Sequence, residues 1–143
     1  MLLEKLSKNS DVLYLISRIL VGFFFFIHGL GKFMPNFIGP GNISGFAGFI
    51  GMPVAVAALV GIGEILVGLG ILTGFFARLS ALGGIVIMLG AIVLAHTAKF
   101  TNWNFFSNGA ELPLIYIAAF LLILVHGNGK WSLEQAVMKK ETF

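Results

Sequence analysis

The residues that could carry chemistry are ionisable side chains within otherwise apolar runs. They are Arg18, His28, Glu64 and His96, with Lys32 and Glu111 near the ends of such runs. An ionisable group inside a bilayer is costly, so each position indicates either a functional site or a structural ion pair. Imidazole exchanges protons near neutral pH, and a buried carboxylate can tune a bound ligand or a proton. We therefore predict His28, His96 and Glu64 as the catalytic candidates.

Helical spacing places the first group of these residues on one face. At 100° per residue, an arc of roughly 120° holds the following positions: Arg18, Gly22, Phe25, His28, Gly29 and Lys32. The remaining residues of this run are Leu, Ile, Val and Phe, which suit lipid. The polar face is therefore predicted to look into a helix bundle.

A second face carries Glu64 among small residues at spacings of three and four, namely Ala57, Gly61, Gly68 and Ile71. Such spacing lets two helices approach closely. By the rise of 1.5 Å per residue, Arg18 and Glu64 lie at roughly 9 Å and 14 Å above the inner boundary of the bilayer. We expect an Arg18–Glu64 ion pair, acting either as a structural clamp or as part of a ligand site.

Four of the ionisable positions lie toward the outer side. His28 and His96 fall at roughly 24 Å and 27 Å by the same count, so they could meet. They are candidates for packing, hydrogen bonding or proton relay; ligation of haem or a metal is also open, but we expect neither. Lys32 could bind an anionic group or extend to the lipid headgroups. Glu111 could cap a helix or join the outer site.

The elements that position these residues are long apolar runs. Only 10% of the 143 residues are charged and 58% are hydrophobic, whereas soluble domains carry about a quarter charged residues. Four spans are predicted over residues 12–33, 53–73, 79–97 and 112–126 of a single domain covering residues 1–143. The fold class is an all-α membrane protein, a four-transmembrane-helix bundle with a short C-terminal surface helix.

Charge and cysteine content restrict the function classes. The chain has no cysteine, which excludes thiolate catalysis, disulfide exchange and cysteine-ligated metal clusters. The net charge of +3 reflects lysines beside apolar spans rather than nucleic-acid binding. The side of the predicted topology that holds both termini carries six Lys and Arg residues, and the other side carries two. Because Lys and Arg are enriched on the cytoplasmic side, we predict a multi-pass cell-membrane protein with both termini in the cytoplasm.

The linkers also carry predictions. Residues 34–52 are rich in Gly and Pro, which predicts an ordered loop or short re-entrant piece rather than a helix. Residues 98–111 are rich in aromatics, including Trp103, which suits the headgroup zone. Ser132 and Gln135 form a capping box for a short helix running to about Lys140.

Taken together, these motifs resemble the DoxX family. The run RILVGFFFFIHGLGKF at 18–33 looks like its first-helix signature, and GEILVGLGILTGFFAR at 63–78 looks like its second. His96, NGAELPL at 108–114 and GNGKWSL at 127–133 extend the similarity over residues 12 to 135. The matching ionisable positions are Arg18, His28, Lys32, Glu64, Arg78, His96 and Glu111.

The resemblance implies a four-helix membrane bundle and a link to quinones. Family members are commonly assigned as oxidoreductases or small quinone-linked subunits, including thiosulfate:quinone oxidoreductase and terminal quinol oxidase subunits, and are connected with resistance to catechols or hydroquinones. A quinone ring needs a mostly apolar cavity with a few polar groups. We predict that the site holds a quinone and no metal. The residues predicted to bind the quinone are Trp103 and six of the matching positions: Arg18, His28, Lys32, Glu64, His96 and Glu111.

Three functions remain open at this stage. The first is a quinone-linked redox protein, whose redox chemistry resides in the bound cofactor or in a redox-protein partner. The second is a non-catalytic membrane scaffold that docks a partner. The third is a small transporter, which four spans without broken helices in paired halves argue against. Glycine-rich faces make a homodimer plausible.

Overall fold

The computed structural model describes residues 8–35, 41–96 and 109–139, and within these ranges it is helical with no strand. The α-helices are α1 (Ser10–Leu30), α2 (Ile43–Ile50), α3 (Val54–Thr73), α4 (Ala77–Ala91), α5 (Glu111–His126) and α6 (Leu133–Met138). A π-helical turn, Ile92–His96, continues α4. The helices α1, α3, α4 and α5 overlap the four runs predicted as spans.

Membrane crossing is supported by helix length and composition. Three helical stretches are long and apolar enough to cross a bilayer: Ser10–Leu30, Val54–Thr73 and Ala77–Ala95. The apolar helix α5 has 16 residues, or about 24 Å at 1.5 Å per residue, against a hydrocarbon core of about 30 Å. Large apolar side chains are exposed along all four helices, among them Phe24, Leu59, Val86 and Leu122. The protein is therefore an all-helical membrane protein.

Glycines bring α1 and α3 into backbone contact, as the small-residue spacing predicted. A Cβ added at Gly29 would lie 2.9 Å from the Gly61 carbonyl oxygen, and one at Gly68 would lie 2.6 Å from Phe26 Cα. Rising numbers on α1 meet falling numbers on α3, so the two helices are antiparallel. Because no side chain can be inserted between these backbones, the glycines fix the register of α1 against α3.

The helices α4 and α5 form the second close pair. Gly84 of α4 receives the Phe120 ring of α5, whose Cε2 would lie 2.5 Å from a Cβ at Gly84. Phe120 also contacts Phe25 of α1, with ring centroids 4.9 Å apart. This aromatic contact joins the two helix pairs in one apolar core, which includes Ile71 and Met88.

The expectation that residues 34–52 lack a helix is wrong for Ile43–Ile50. The side chain of Asn42 caps α2 by accepting hydrogen bonds from the backbone N–H groups of Ser44 (2.8 Å) and Gly45 (3.3 Å). Gly51 ends the helix with φ of 66°, a conformation that glycine adopts without strain. The capping residues, rather than the glycine content between them, decide the structure here. Ala47 and Ile50 of α2 then pack against Ala57 of α3.

Candidate functional site

A buried ion pair lies at the end of α1 that is remote from the chain termini. Lys32 follows the last turn of α1, and its Nζ donates a hydrogen bond to Oε2 of Glu64 on α3. Both side chains are only 3% exposed. A charge buried to this degree needs a partner, so each of these residues makes the other tolerable within the bundle.

His28 completes a three-residue cluster with this pair. Its Nδ1 lies 3.2 Å from Glu64 Oε2 and 3.2 Å from Lys32 Nζ. In one tautomer Nδ1 donates to the carboxylate, and in the other it accepts from the ammonium. Within the described part of the chain Nε2 makes no hydrogen bond, and the side chain is 42% exposed. His28 can therefore present either a donor or an acceptor to a ligand.

The cluster forms the polar end of a cavity of about 440 Å³. Lys32 Nζ also lies 4.7 Å from the centre of the Phe46 ring, a cation–π contact that ties α2 to the site. Tyr116 of α5 lines the same cavity, and its hydroxyl makes no hydrogen bond with any residue that the structure describes. The other lining residues are apolar or glycine: Phe46, Phe49, Ile50, Val60, Val86, Ile87, Met88, Gly90, Ala91, Leu94, Ala95, Gly109, Leu112 and Pro113.

The π-helical turn contributes to the same cavity. Leu94 and Ala95 lie in this turn and line the cavity. Single π-turns within α-helices are rare and occur frequently at functional sites. Here the turn adjoins the cavity that also holds the ion pair.

The predicted Arg18–Glu64 ion pair is wrong. The glycine contacts set Gly29 against Gly61, so Glu64 lies beside His28 and Lys32. Arg18 lies ten residues earlier on α1, about 15 Å away along the axis, where it reaches the turn at Gly74. The depth estimate failed because it used the ends of the apolar runs, whereas the glycines determine the register.

Arg18 instead holds the C-terminal segment. It is 2% exposed, and its guanidinium donates hydrogen bonds to the backbone carbonyl oxygens of Asn128 and Trp131, the latter at 2.7 Å. Arg18 is therefore outside the cavity, contrary to its predicted role in cofactor binding. We call Arg18, Asn128, Trp131 and Glu134 together the clamp.

Glu134 is a buried residue that the sequence did not reveal. Its Oε2 accepts hydrogen bonds from Asn128 Nδ2 (2.6 Å) and from the backbone N–H of Phe76 (2.9 Å). Asn128 Oδ1 accepts from the N–H of Ala77 at 2.8 Å. The clamp thus satisfies the first N–H groups of α4. Ser132 caps the C-terminal helix by accepting a hydrogen bond from the Gln135 N–H at 3.2 Å, which confirms the Ser132 half of the predicted capping box. The C-terminal helix ends at Met138 and is otherwise exposed.

The remaining predicted site residues have different outcomes. His96 ends the π-helical turn, but its side chain lies outside the described residues, as does all of Trp103. Glu111 begins α5 as an acidic residue in its first turn, but the N-cap position is Ala110 and carries no side-chain cap. The exposed Glu111 side chain does not line the cavity. Tyr116 and Phe46 were missed. Tyr116 shares a helical face with buried Pro113 and Phe120, so its spacing could have indicated an inward position.

Comparison with known proteins gives a consistent family assignment. The family model for DoxX matches residues 13–97. An uncharacterized membrane protein of Mycobacterium tuberculosis is 32% identical over 87% of this chain and 81% of its own length. An uncharacterized protein of Haemophilus influenzae is 31% identical over 96% of this chain and 100% of its own length. No solved structure matches.

Proposed function

The chain belongs to the DoxX family, and from this premise we propose that it binds a quinone in the cavity and acts as a quinone-linked oxidoreductase or its membrane subunit. The observation that carries the proposal is the cavity itself, about 440 Å³ with His28, Lys32 and Glu64 at one end. Ligand pockets span roughly 300–1,000 Å³ and combine apolar walls with a few polar groups. This cavity has that composition.

The polar groups fit the edge of a quinone ring. Carbonyl oxygens require hydrogen-bond donors. Two lining groups, His28 Nε2 and the Tyr116 hydroxyl, make no hydrogen bond with any residue that the structure describes, whereas Lys32 Nζ is engaged with Glu64 and His28. The apolar wall suits the ring faces. A bound quinone would supply the redox chemistry, taking two electrons from a redox-protein partner and two protons to become a hydroquinone.

The chain's own residues would hold the ring and move one of these protons. His28 Nε2 donates to a carbonyl oxygen when Nδ1 accepts from Lys32, and it accepts from a hydroxyl when Nδ1 donates to Glu64. Glu64 stabilises the imidazolium that forms when both ring nitrogens carry protons. Lys32 holds the carboxylate in position through its hydrogen bond to Oε2.

Purification of the protein with its ligand tests this function. We expect the wild type, purified in mild detergent, to retain isoprenoid quinone at about one molecule per chain, measured by extraction and mass spectrometry. His28→Ala removes the Nε2 group and should lose the quinone. His126→Ala is the matched control, because His126 stacks on Tyr14 at the opposite end of the bundle and should retain it.

Two outcomes would contradict the proposal. Wild-type protein that folds without quinone would favour the partner-docking subunit, and quinone retained equally by His28→Ala would remove the site from this cavity. Flux of a solute in liposomes that depends on Glu64 would favour a transporter.

We further infer that α5 also crosses the bilayer, giving four spans with both termini in the cytoplasm. The contacts of Arg18 with Asn128 and Trp131 support this, since they bring the start of α1 and the end of α5 to the same level. The chain has no cysteine, so single cysteines report sidedness. A membrane-impermeant thiol reagent applied outside cells should label Ser44→Cys, and should label Gln135→Cys only after permeabilisation. Labelling of both from one side would contradict this topology.

A further inference from the structure

Part of the cavity wall is continuous with the outer surface of the bundle. Phe49 and Val86 line the cavity, yet they are 61% and 63% exposed. Leu94 and Leu112 also line it and are exposed. The same side chains therefore face the cavity and the surroundings of the protein.

In a membrane protein, an exposed apolar surface faces acyl chains. Among the described lining residues, polar side chains are confined to His28, Lys32, Glu64 and Tyr116. The mouth bordered by Val86 and Leu94 has none. A ligand that reaches beyond this mouth would enter hydrocarbon, where a polar extension is costly and an alkyl or isoprenoid chain is at home.

Gly90 lies within this mouth. It is one helical turn from Val86 and lines the cavity, and a Cβ added at Gly90 would meet no atom of the described residues within 4 Å. The space beside it is therefore not required for helix packing, in contrast to Gly22 and Gly68, where a Cβ would meet backbone atoms. A glycine in mid-helix also lowers helix propensity by about 1 kcal/mol relative to alanine. This open space beside the cavity is a site that a ligand can occupy.

We propose that the ligand is an amphiphile dissolved in the bilayer, with its polar ring at the His28–Lys32–Glu64 cluster and its apolar chain passing Gly90 into the lipid. The inference rests on the proposed function and deepens it. It assigns Gly90 as a specificity-determining residue: because glycine has no side chain, it leaves room for the apolar chain of the ligand and so favours ligands that carry one. The apolar chain of the ligand reaches the site laterally from the membrane, without passing through water.

The test compares two probes with two glycine variants. The probes are a benzoquinone bearing a ten-carbon chain and the same ring without the chain, with binding measured to protein in lipid nanodiscs. Gly90→Leu places a side chain in the mouth and should weaken binding of the chain-bearing quinone by about ten-fold or more, since overpacking is costly. Binding of the ring alone should change by less than about two-fold.

Gly48→Leu is the matched control. A Cβ at Gly48 also meets nothing within 4 Å, but Gly48 does not line the cavity, so both probes should bind as they do to the wild type. The two probes partition differently into lipid, which changes their apparent affinities. For each probe we therefore compare the variant with the wild type, because partitioning cancels in this ratio. Retained binding of the ring shows that Gly90→Leu is folded, and Gly90→Phe should enlarge the effect on the chain-bearing probe.

The outcomes separate the two proposals. Suppose that the wild type binds both probes and that Gly90→Leu weakens the binding of both equally, or of neither. The apolar chain of the ligand then does not pass Gly90, and this inference is wrong while the proposed quinone site stands. If the wild type binds neither probe, the proposed function fails, and the inference fails with it.

Discussion

Removing either partner of the Lys32–Glu64 pair is expected to destabilise the protein by about 3–5 kcal/mol, because one charge remains buried without its partner. Both side chains are 3% exposed, so neither can be solvated by a change of rotamer alone. The two single variants are Lys32→Met and Glu64→Leu. The measurement is the free energy of unfolding in detergent or bicelles, or the thermal midpoint where unfolding is irreversible.

The double variant separates stability from function. Lys32→Met with Glu64→Leu removes both charges and replaces them by apolar groups of similar size, which is often neutral for a buried pair. Most of the lost stability should therefore return. Retention of quinone should not return, since the cavity would then have lost two of its polar groups.

The exposed pair formed by Asp11 and Lys130 supplies the control. These side chains are 44% and 71% exposed, so replacing Lys130 by Met should cost at most about 1 kcal/mol. If the single variants Lys32→Met and Glu64→Leu were no more destabilised than this control, the pair would not be the buried contact described above. Full quinone binding by the double variant would falsify the role of the pair in the site.

Arg18→Met is expected to release the C-terminal segment from the bundle. The variant leaves the Asn128 and Trp131 carbonyl oxygens without the donors they have in the native protein. Asn128 is buried, and a buried acceptor without a donor costs about 1–3 kcal/mol. The Trp131 carbonyl is only part-buried, so it adds less, and the expected loss stays at roughly 1–3 kcal/mol. The clearest signal is faster hydrogen exchange at the amides of Leu133–Met138, together with a lower thermal midpoint.

Lys130→Met is again the matched control, because it removes one positive charge from the same end of the bundle. Its α6 amides should exchange at the wild-type rate. The cavity lies about 15 Å from Arg18 along α1. The fraction of Arg18→Met that stays folded should therefore still retain quinone. Wild-type protection of α6 in Arg18→Met would show that the clamp does not depend on Arg18.

The local elements follow from the sequence because their causes are local. The lengths of the apolar runs indicate helices near α1, α3, α4 and α5, and the Ser132–Gln135 spacing indicates the start of α6. The 3.6-residue period correctly puts Arg18, His28 and Lys32 on one inward face of α1. The DoxX resemblance, carried by the runs at 18–33 and 63–78, is confirmed by the family match.

The partners of these residues depend on distances between helices, which periodicity does not contain. Arg18 and Glu64 both face inward, but the glycine contacts between α1 and α3 shift Glu64 to Lys32 and leave Arg18 at Gly74. Moving the partner of Glu64 from Arg18 to His28 or Lys32 changes the register by about three or four turns. Such a change alters no helical face, so the sequence pattern is the same for either pairing. Only the tertiary structure decides which charges meet.

Burial of polar residues in short segments was likewise decided by tertiary packing. Glu134 lies in a six-residue helix whose sequence is typical of an exposed turn. It is buried because the chain folds back so that Phe76, 58 residues away, donates to it together with nearby Asn128. The sequence by itself determined that this protein is helical, lies in a membrane and carries inward-facing charges. The cavity, its ion pair and its opening toward lipid arise from how four helices and the short α2 close around a space, because such a space is a property of their mutual positions.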